Sequence, residues 1–222
     1  VQDAGSQISA AAANAQPGEQ VLDYCSGGGG KTIALASQMK GKGQIFAYDI
    51  DGKRLSALIP RLKRSGATNV QLVHPSEPVQ LETLTGLMDC VFVDAPCTGT
   101  GTWRRRPDSK WRIKQGQMEK RMAEQTDILA SAAAFVKPGG RMVYATCSFL
   151  MEEDEDRVAE FLSTHPEFTE EDAAAAAIAS GLLTDEGANV VQRFRLPTGS
   201  VRLTPRRAGT DGFFFAVLRR VG

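Results

Sequence analysis

The residues best suited to covalent chemistry are the four cysteines, Cys25, Cys90, Cys97 and Cys147. A thiolate is the strongest nucleophile among ordinary side chains, provided that its site favours ionisation. Two of the four stand out by position. Val91-Phe92-Val93 is a run of apolar residues, too short for a helix, that leads into Asp94-Ala95-Pro96-Cys97. Pro96 cannot donate to a ladder, so the chain must leave the sheet there. Arg141-Met142-Val143-Tyr144-Ala145-Thr146-Cys147-Ser148 reads as a second strand that also ends in a thiol. Ligands bind just beyond the carboxyl ends of strands in open α/β sheets. Asp94 and Cys97 are therefore expected at the rim of a site. If the two strands are neighbours, Cys97 and Cys147 face one pocket. Cys90, inside the earlier strand, reads as inert packing.

A second constellation lies upstream. Asp23-Tyr24 leads into Cys25-Ser26-Gly27-Gly28-Gly29-Gly30 and then Lys31-Thr32. The end of this stretch suggests a phosphate-binding loop, but that motif needs glycine where Cys25 stands, so the match fails. A glycine turn between a strand and a helix still lets a ligand approach the backbone closely. Asp49 ends the next strand, about 20 residues after the turn. An acid there binds a ribose diol in dinucleotide folds; the other reading is a helix N-cap. An adenosine-type cofactor held without phosphate contacts suits both features. After Cys97, Trp103-Arg104-Arg105-Arg106 and Lys110-Trp111-Arg112 interleave cations with aromatics. That pattern suits stacking and phosphate contact with single-stranded RNA; the bland reading is a solvated loop.

The elements that must position these residues follow from the pattern. Strands are expected over residues 20–24, 44–48, 70–73, 91–93 and 141–148. Helices are expected over 6–14, 31–39, 52–65, 117–136 and 152–164, with Pro60 interrupting the third and a short helical turn over 81–87. The acidic start of the segment 152–164 suits a helix dipole. Residues 168–189 show no clear pattern, and 190–196 with 213–219 read as a closing antiparallel pair. Strands alternating with helices predict an α/β fold: a mostly parallel sheet with helices on both faces. The chain has 222 residues, 42% hydrophobic content and a net charge of +0. These values fit one ordinary globular domain with no global pull toward nucleic acid. No apolar run reaches the length of a membrane span. Two histidines and scattered cysteines supply neither a metal site nor a disulfide framework, so a reduced, cytoplasmic setting is expected.

Taken together, these motifs resemble the Sun/Fmu-type RNA cytosine-5 methyltransferases, which use S-adenosylmethionine. Asp23 to Thr32 is similar to the family's cofactor loop. Asp94-Ala95-Pro96-Cys97 and Ala145-Thr146-Cys147-Ser148 are similar to its two cysteine motifs. Arg105-Arg106-Pro107-Asp108-Ser109-Lys110-Trp111 resembles its basic loop, and Gly209-Thr210-Asp211-Gly212-Phe213-Phe214 its last strand. The resemblance implies a Rossmann-like class I methyltransferase sheet. It also implies Cys147 as nucleophile, Cys97 as the helper in release, Asp94 at the cytosine edge or the cofactor amine, and Lys31 acting on a thiol or on the substrate. The cofactor set it implies is Cys25, Ser26, Gly27, Gly28, Gly29, Gly30, Lys31, Asp49, Arg54, Ser76 and Asp94; the RNA set is Arg104, Arg105, Arg106, Lys110 and Trp111. The expected substrate is a single-stranded or loop cytosine, with ribosomal RNA the expected class, and the expected state is a monomer without metal. The family has proline at Gly28 and an acid at Ser76, departures that bear on cofactor affinity. Family members carry an RNA-binding region before the catalytic domain, so 1–222 is expected to be one catalytic domain of a longer protein. In DNA cytosine methyltransferases the Pro-Cys thiol is the nucleophile, which makes Cys97 the rival candidate; their Glu-Asn-Val motif is absent here. The alternative function is a catalytically weakened RNA-binding domain of the same fold.

Overall fold

The computed structural model describes residues 2–111 and 116–222. Arg112, expected in the basic loop, lies outside the described residues. The chain begins with helix α1 (Ala4–Ala11), followed by β1 (Gln20–Asp23), α2 (Gly30–Gln38) and β2 (Gln44–Tyr48). Next come α3 (Gly52–Ser56), α4 (Ile59–Ser65), β3 (Val70–Val73), α5 (Pro78–Glu82) and β4 (Met88–Asp94). Helix α6 (Gln117–Ala133) leads to β5 (Val136–Thr146), α7 (Glu155–Thr164) and β6 (Phe168–Glu171). The last part holds α8 (Ala173–Ala179), α9 (Asp185–Arg193), β7 (Val201–Leu203), α10 (Pro205–Ala208) and β8 (Phe213–Arg220).

One sheet runs in the order β3-β2-β1-β4-β5-β8-β6, with β7 also pairing β8. The five strands from β3 to β5 are parallel; β8 lies antiparallel to β5, β6 and β7. Side chains alternate across the sheet with the strand period of two. Val21, Cys90, Phe92, Val143 and Phe215 point to the face covered by α1, α2, α8 and α9. Leu22, Val91, Val93, Tyr144 and Phe214 point to the face covered by α6 and α7. This is the mostly parallel α/β sheet expected from the pattern.

Two expectations need correction, and one unplaced stretch is resolved. The helix expected over 52–65 is two helices: Pro60 sits at the start of α4, where its missing N–H costs nothing. Residues 190–196 lie largely in α9 rather than in a strand; the true partners of β8 are β5, β6 and β7. The valines at 190 and 191 are β-formers by propensity, but Thr184 caps the helix and Val191 is its buried face. The unplaced stretch 168–189 divides into β6, α8, whose alanines pack against α1, and the start of α9.

Beyond the strand ends, the backbone makes a crossing that only glycine permits. Gly101 N–H donates to the Cys147 carbonyl at 2.9 Å, and Gly212 N–H donates to the Gly101 carbonyl at 2.8 Å. A Cβ on Gly101 would lie 2.2 Å from the Gly212 carbonyl oxygen and 2.8 Å from that of Cys147. Main chain, not a yielding side chain, stands on both sides. Gly101→Ala should therefore destabilise the fold by about 1–3 kcal/mol, as overpacking does. Urea denaturation checks this; a loss under about 0.5 kcal/mol, the size of an ordinary surface substitution, would mean that the crossing is loose.

Candidate active site

β4 and β5 are paired in register, Asp94 opposite Ala145. Cys97 and Cys147 each follow the end of one of these strands, and their sulfurs lie 3.3 Å apart. Both are free thiols. At this distance one sulfur donates to the other, so the pair carries a single negative charge more readily than two. Cys97 is held well above the ordinary thiol range, because its proton is engaged by Cys147 and its site is buried. Cys147 is pushed below that range, because its thiolate accepts from Cys97; Lys31 adds a smaller pull in the same direction. By geometry either sulfur can donate; the directions of the two shifts favour Cys147 as the partner that carries the charge. Cys90 is buried, and burial raises its thiol to about 11, in keeping with packing. The Cys25 thiol is pushed well above its ordinary value by the same cause.

Lys31, on the first turn of α2, reaches across the sheet to β4. Its Nζ lies 2.6 Å from Asp94 Oδ2 and 5.2 Å from the centre of the Phe213 ring. β1 and β4 are the strands between which the parallel order reverses, the place where open sheets hold ligands. Asp23 lies just below, fully buried, and Thr32 Oγ1 donates to its Oδ2 at 2.6 Å. Its other oxygen has no protein partner.

The glycine turn is braced from outside. Asp49 Oδ2 accepts from Gly27 N–H at 2.8 Å, and Oδ1 accepts from Asp51 N–H at 2.8 Å. The N-cap of α3 is Asp51, whose Oδ1 accepts from Lys53 and Arg54, so the cap reading of Asp49 is overturned. Arg54 lies 4.0 Å from Asp49. Its guanidinium stands over Gly27, which takes φ +51°. Gly29, at φ +76°, has Leu58 where a Cβ would go. Arg61 of α4 donates to the Gly28 carbonyl, which stiffens the turn at the family's proline position. Ser26 is buried and its hydroxyl has no protein partner. Ser76 is exposed and its hydroxyl pairs with His74 Nδ1 at 2.6 Å.

The basic loop divides in two. Arg104 and Arg105 face inward in function if not in burial. Arg105 Nε donates to Asp211 Oδ2 at 2.6 Å, and Arg104 Nη2 lies 3.2 Å from both Asp211 and Asp3. Asp211 is fully buried, so these cations neutralise a carboxylate that could not stand alone. Trp103 packs edge-on against Phe149. Arg106 and Trp111 are exposed, and Lys110 Nζ sits 4.6 Å over the Trp111 ring.

Several residues of the site were not anticipated from sequence: Asp23, Thr98, Gln125, Glu153, Asp3 and Asp211. Glu153 is buried and holds the Cys97 turn, accepting from Thr98 N–H at 2.8 Å, Thr98 Oγ1 at 2.5 Å and Gln125 Nε2 at 3.2 Å. It sits in an acidic run that reads as helix-dipole complement. Neighbouring Asp154 is also buried, with Thr146 Oγ1 2.6 Å away. Only Glu155 and Asp156 serve the first turn of α7. The available signal was a run of acids longer than a helix start requires. Among the described residues, no group of three or more His, Cys, Asp or Glu could hold a metal ion.

Burial raises the Asp23 carboxyl to about 7, offset in part by the Thr32 hydrogen bond. In the unfolded chain the group ionises near 3.9. Between those values folding must take up a proton, so stability contributed by the neutral form falls as pH rises from about 4 to 7. Asp23→Asn keeps the acceptor for Thr32 and removes the titration. Urea denaturation should show the variant gaining on the parent across this window, by at most about 1.4 kcal/mol per pH unit. A difference that stays constant with pH would place Asp23 in an environment that solvates its charge.

The comparisons with known proteins bear on the family and the fold. The sequence profile of the family described as "16S rRNA methyltransferase RsmB/F" matches residues 10–219. A protein of Synechocystis sp. named probable ribosomal RNA small subunit methyltransferase B is 32% identical over 99% of this chain and 47% of its own length. The Thermus thermophilus protein named ribosomal RNA small subunit methyltransferase B is 33% identical over 99% of this chain and 50% of its own. The chain thus spans about half the length of the curated relatives it matches. Among solved structures, NSun6 from Pyrococcus horikoshii with SFG superposes with a TM-score of 0.79 at 26% identity, covering 100% of this chain and 53% of that one. A methyltransferase homologue from the same organism gives 0.75 at 28% identity, covering 99% of this chain and 67% of that one. With the profile match covering most of the chain and the paired thiols in place, the chain belongs to the 16S rRNA methyltransferase RsmB/F family.

Proposed function

We propose that this protein transfers a methyl group from S-adenosylmethionine to carbon 5 of a cytosine in RNA, with ribosomal RNA the substrate class and Cys147 forming a covalent adduct. The observation that carries the reading is the contact of Cys97 and Cys147 at 3.3 Å beyond two neighbouring strands. The cofactor's site is supported by unused polar atoms: buried Ser26 Oγ and Asp23 Oδ1 lack protein partners. Asp49 has accepted one hydrogen bond on each oxygen and keeps a lone pair on each for ribose hydroxyls. Ser26, the turn at 27–30 and Asp49 would hold the group, with Arg54 at its rim. When bound, S-adenosylmethionine supplies an electrophilic methyl group on a sulfonium.

The residues account for the rest. Carbon 5 of cytosine is a weak nucleophile. The Cys147 thiolate adds to carbon 6, and the electron pair displaced toward carbon 5 makes that atom enamine-like, with a proton taken up at N3. Asp94, fixed by Lys31, steadies the N3 and amino edge of the ring. Once carbon 5 carries its methyl group, its proton must leave. Cys147 is then a thioether and no longer accepts from Cys97. The larger of the influences that held Cys97 protonated is gone, and Cys97 can ionise and take the carbon 5 proton. The electron pair re-forms the ring double bond and expels the Cys147 thiolate. The N3 proton returns to solvent and cancels its earlier uptake; the one proton released for each methyl transferred is the one Cys97 gave up on ionising, replaced by the carbon 5 proton.

Two experiments test the reading. With labelled S-adenosylmethionine and cytosine-containing RNA, Cys147→Ser should abolish transfer, whereas Cys97→Ser should accumulate a protein–RNA adduct on a denaturing gel. An adduct formed by Cys147→Ser and not by Cys97→Ser would reverse the roles. For the cofactor, calorimetry should show Asp49→Ala weakening S-adenosylhomocysteine by about 10- to 150-fold. Removing the ribose hydroxyls from the ligand should cost the parent a similar factor and the variant little. If the losses simply multiply, Asp49 serves the turn alone. A parent that binds no cofactor would favour the inert RNA-binding alternative.

A further inference from the structure

A cavity of about 210 Å³ opens beside the Cys97 turn, lined by Cys97, Thr98, Gln117, Lys120 and Arg121. By liquid volume it has room for about seven waters, the scale of a single nucleotide base and too little for a duplex. One wall is the thiol proposed to act on the target base; another is the first turns of α6, with two cations. The charges facing it from the packed elements are Lys120, Arg121 and Glu124 on α6; Glu153, beneath the turn, is already committed to Thr98 and Gln125. Glu124 lies 2.5 Å from Arg121 and 3.9 Å from Lys120. Lys120 is exposed and the Arg121–Glu124 pair is half-buried at the surface, and pairs so open to water contribute little to stability, so another anion can take over the cations at small cost. Among the described residues, the local balance is two positive charges against one. This contrasts with Arg104 and Arg105, whose charges are spent on Asp211 and Asp3.

We propose that this cavity admits the target nucleotide and that Lys120 and Arg121 hold the RNA phosphates flanking it, so that the main electrostatic contact with substrate lies on α6 rather than on Arg104 and Arg105. The ligand class is a single-stranded ribonucleotide segment with its base turned toward Cys97 and Cys147. This rests on the reaction proposed above. It adds an entry side: RNA approaches over α6, past the Cys97 turn, while the glycine turn at 25–30 is left for the cofactor. Glu124 acts as a gatekeeper for the two cations, and its removal leaves them free for phosphate.

The test is an RNA titration, read by fluorescence anisotropy on a short, labelled, unpaired oligoribonucleotide containing one cytosine, across a salt series. For single strands the slope of log affinity against log salt is about −0.7 per phosphate contact. Lys120→Ala with Arg121→Ala should therefore flatten the slope by about 1.4, so that a fourfold rise in salt costs the parent about sevenfold more affinity than the variant. Glu124→Gln should tighten binding by about two- to fivefold, the size of an exposed ion pair. Lys40→Ala with Lys42→Ala, at the opposite end of the strands, should leave the slope unchanged. Calorimetric affinity for S-adenosylhomocysteine should be the same in all of them. A double variant at 120 and 121 whose titrations overlay the parent at every salt concentration, or a parent with no measurable binding at low salt, overturns the inference. Loss of slope in a protein that transfers no methyl group would overturn the reaction and leave the phosphate site standing, so the two failures are distinguishable.

Discussion

The site depends on one constraint: β4 and β5 are adjacent, parallel and in register, so two chains leave the sheet side by side at the same height. Each must then turn away within a few residues. Pro96 forces the first turn, and the Thr100–Ser148 hydroxyl pair at 3.0 Å ties it to the second. Two thiols on such turns have little choice but to meet. Their contact lets one proton be shared between the two sulfurs, the asymmetry on which the proposed reaction draws. Most other features of the site hold this arrangement in place. Glu153 props the Cys97 turn from below, Lys31 and Asp94 set its electrostatics from the side, and the glycine crossing locks the Cys147 turn from above.

Much of this was legible in the sequence because it is written in strand ends. A short β-branched run followed by Asp-Ala-Pro-Cys carries its own geometry: the strand buries, the proline stops it, and the acid and thiol fall at the rim. Strand adjacency was open at that stage, and it is settled by the order β1-β4-β5. The pattern failed where local preference and tertiary setting diverge. Val190 and Val191 prefer strands, yet they complete an amphipathic helix over the core. Arg104 and Arg105 read as a nucleic-acid patch, and their second partner, the buried carboxylate of Asp211, is not visible in that reading. Asp211 is more than a hundred residues away in sequence, and no local spacing reveals such a partner. Glu153 was missed for the same reason: its partner Thr98 is 55 residues away, and locally the acid reads as part of a helix-dipole complement.

Charge in this protein is largely spoken for. Buried carboxylates at Asp49, Glu153 and Asp211 each accept from backbone or side-chain donors, and each steadies a loop rather than a helix. Such paired charges specify position more than they add stability. A neutral whole-chain charge is therefore compatible with a nucleic-acid enzyme, since the cations that matter are those whose partners are exposed and replaceable.

The strand order has a bearing on how the chain acquires its fold. β8 is the last strand in sequence, yet it lies between β5 and β6, and among the described residues β6 pairs with no strand but β8. Its lead-in carries Asp211, whose N–H donates to Asp3 at the far end of the chain. Contacts of such high sequence separation form late, because loop closure must come first. On a ribosome, β1 to β5 can assemble while β8 is still being made. Until it arrives, β5 presents a bare edge, Arg104 and Arg105 lack their carboxylate, and the Cys147 turn lacks its glycine crossing. The arrangement of the two thiol turns is thus completed only once β8 has been made, and a chain cut short before it would hold most of the sheet without the glycine crossing.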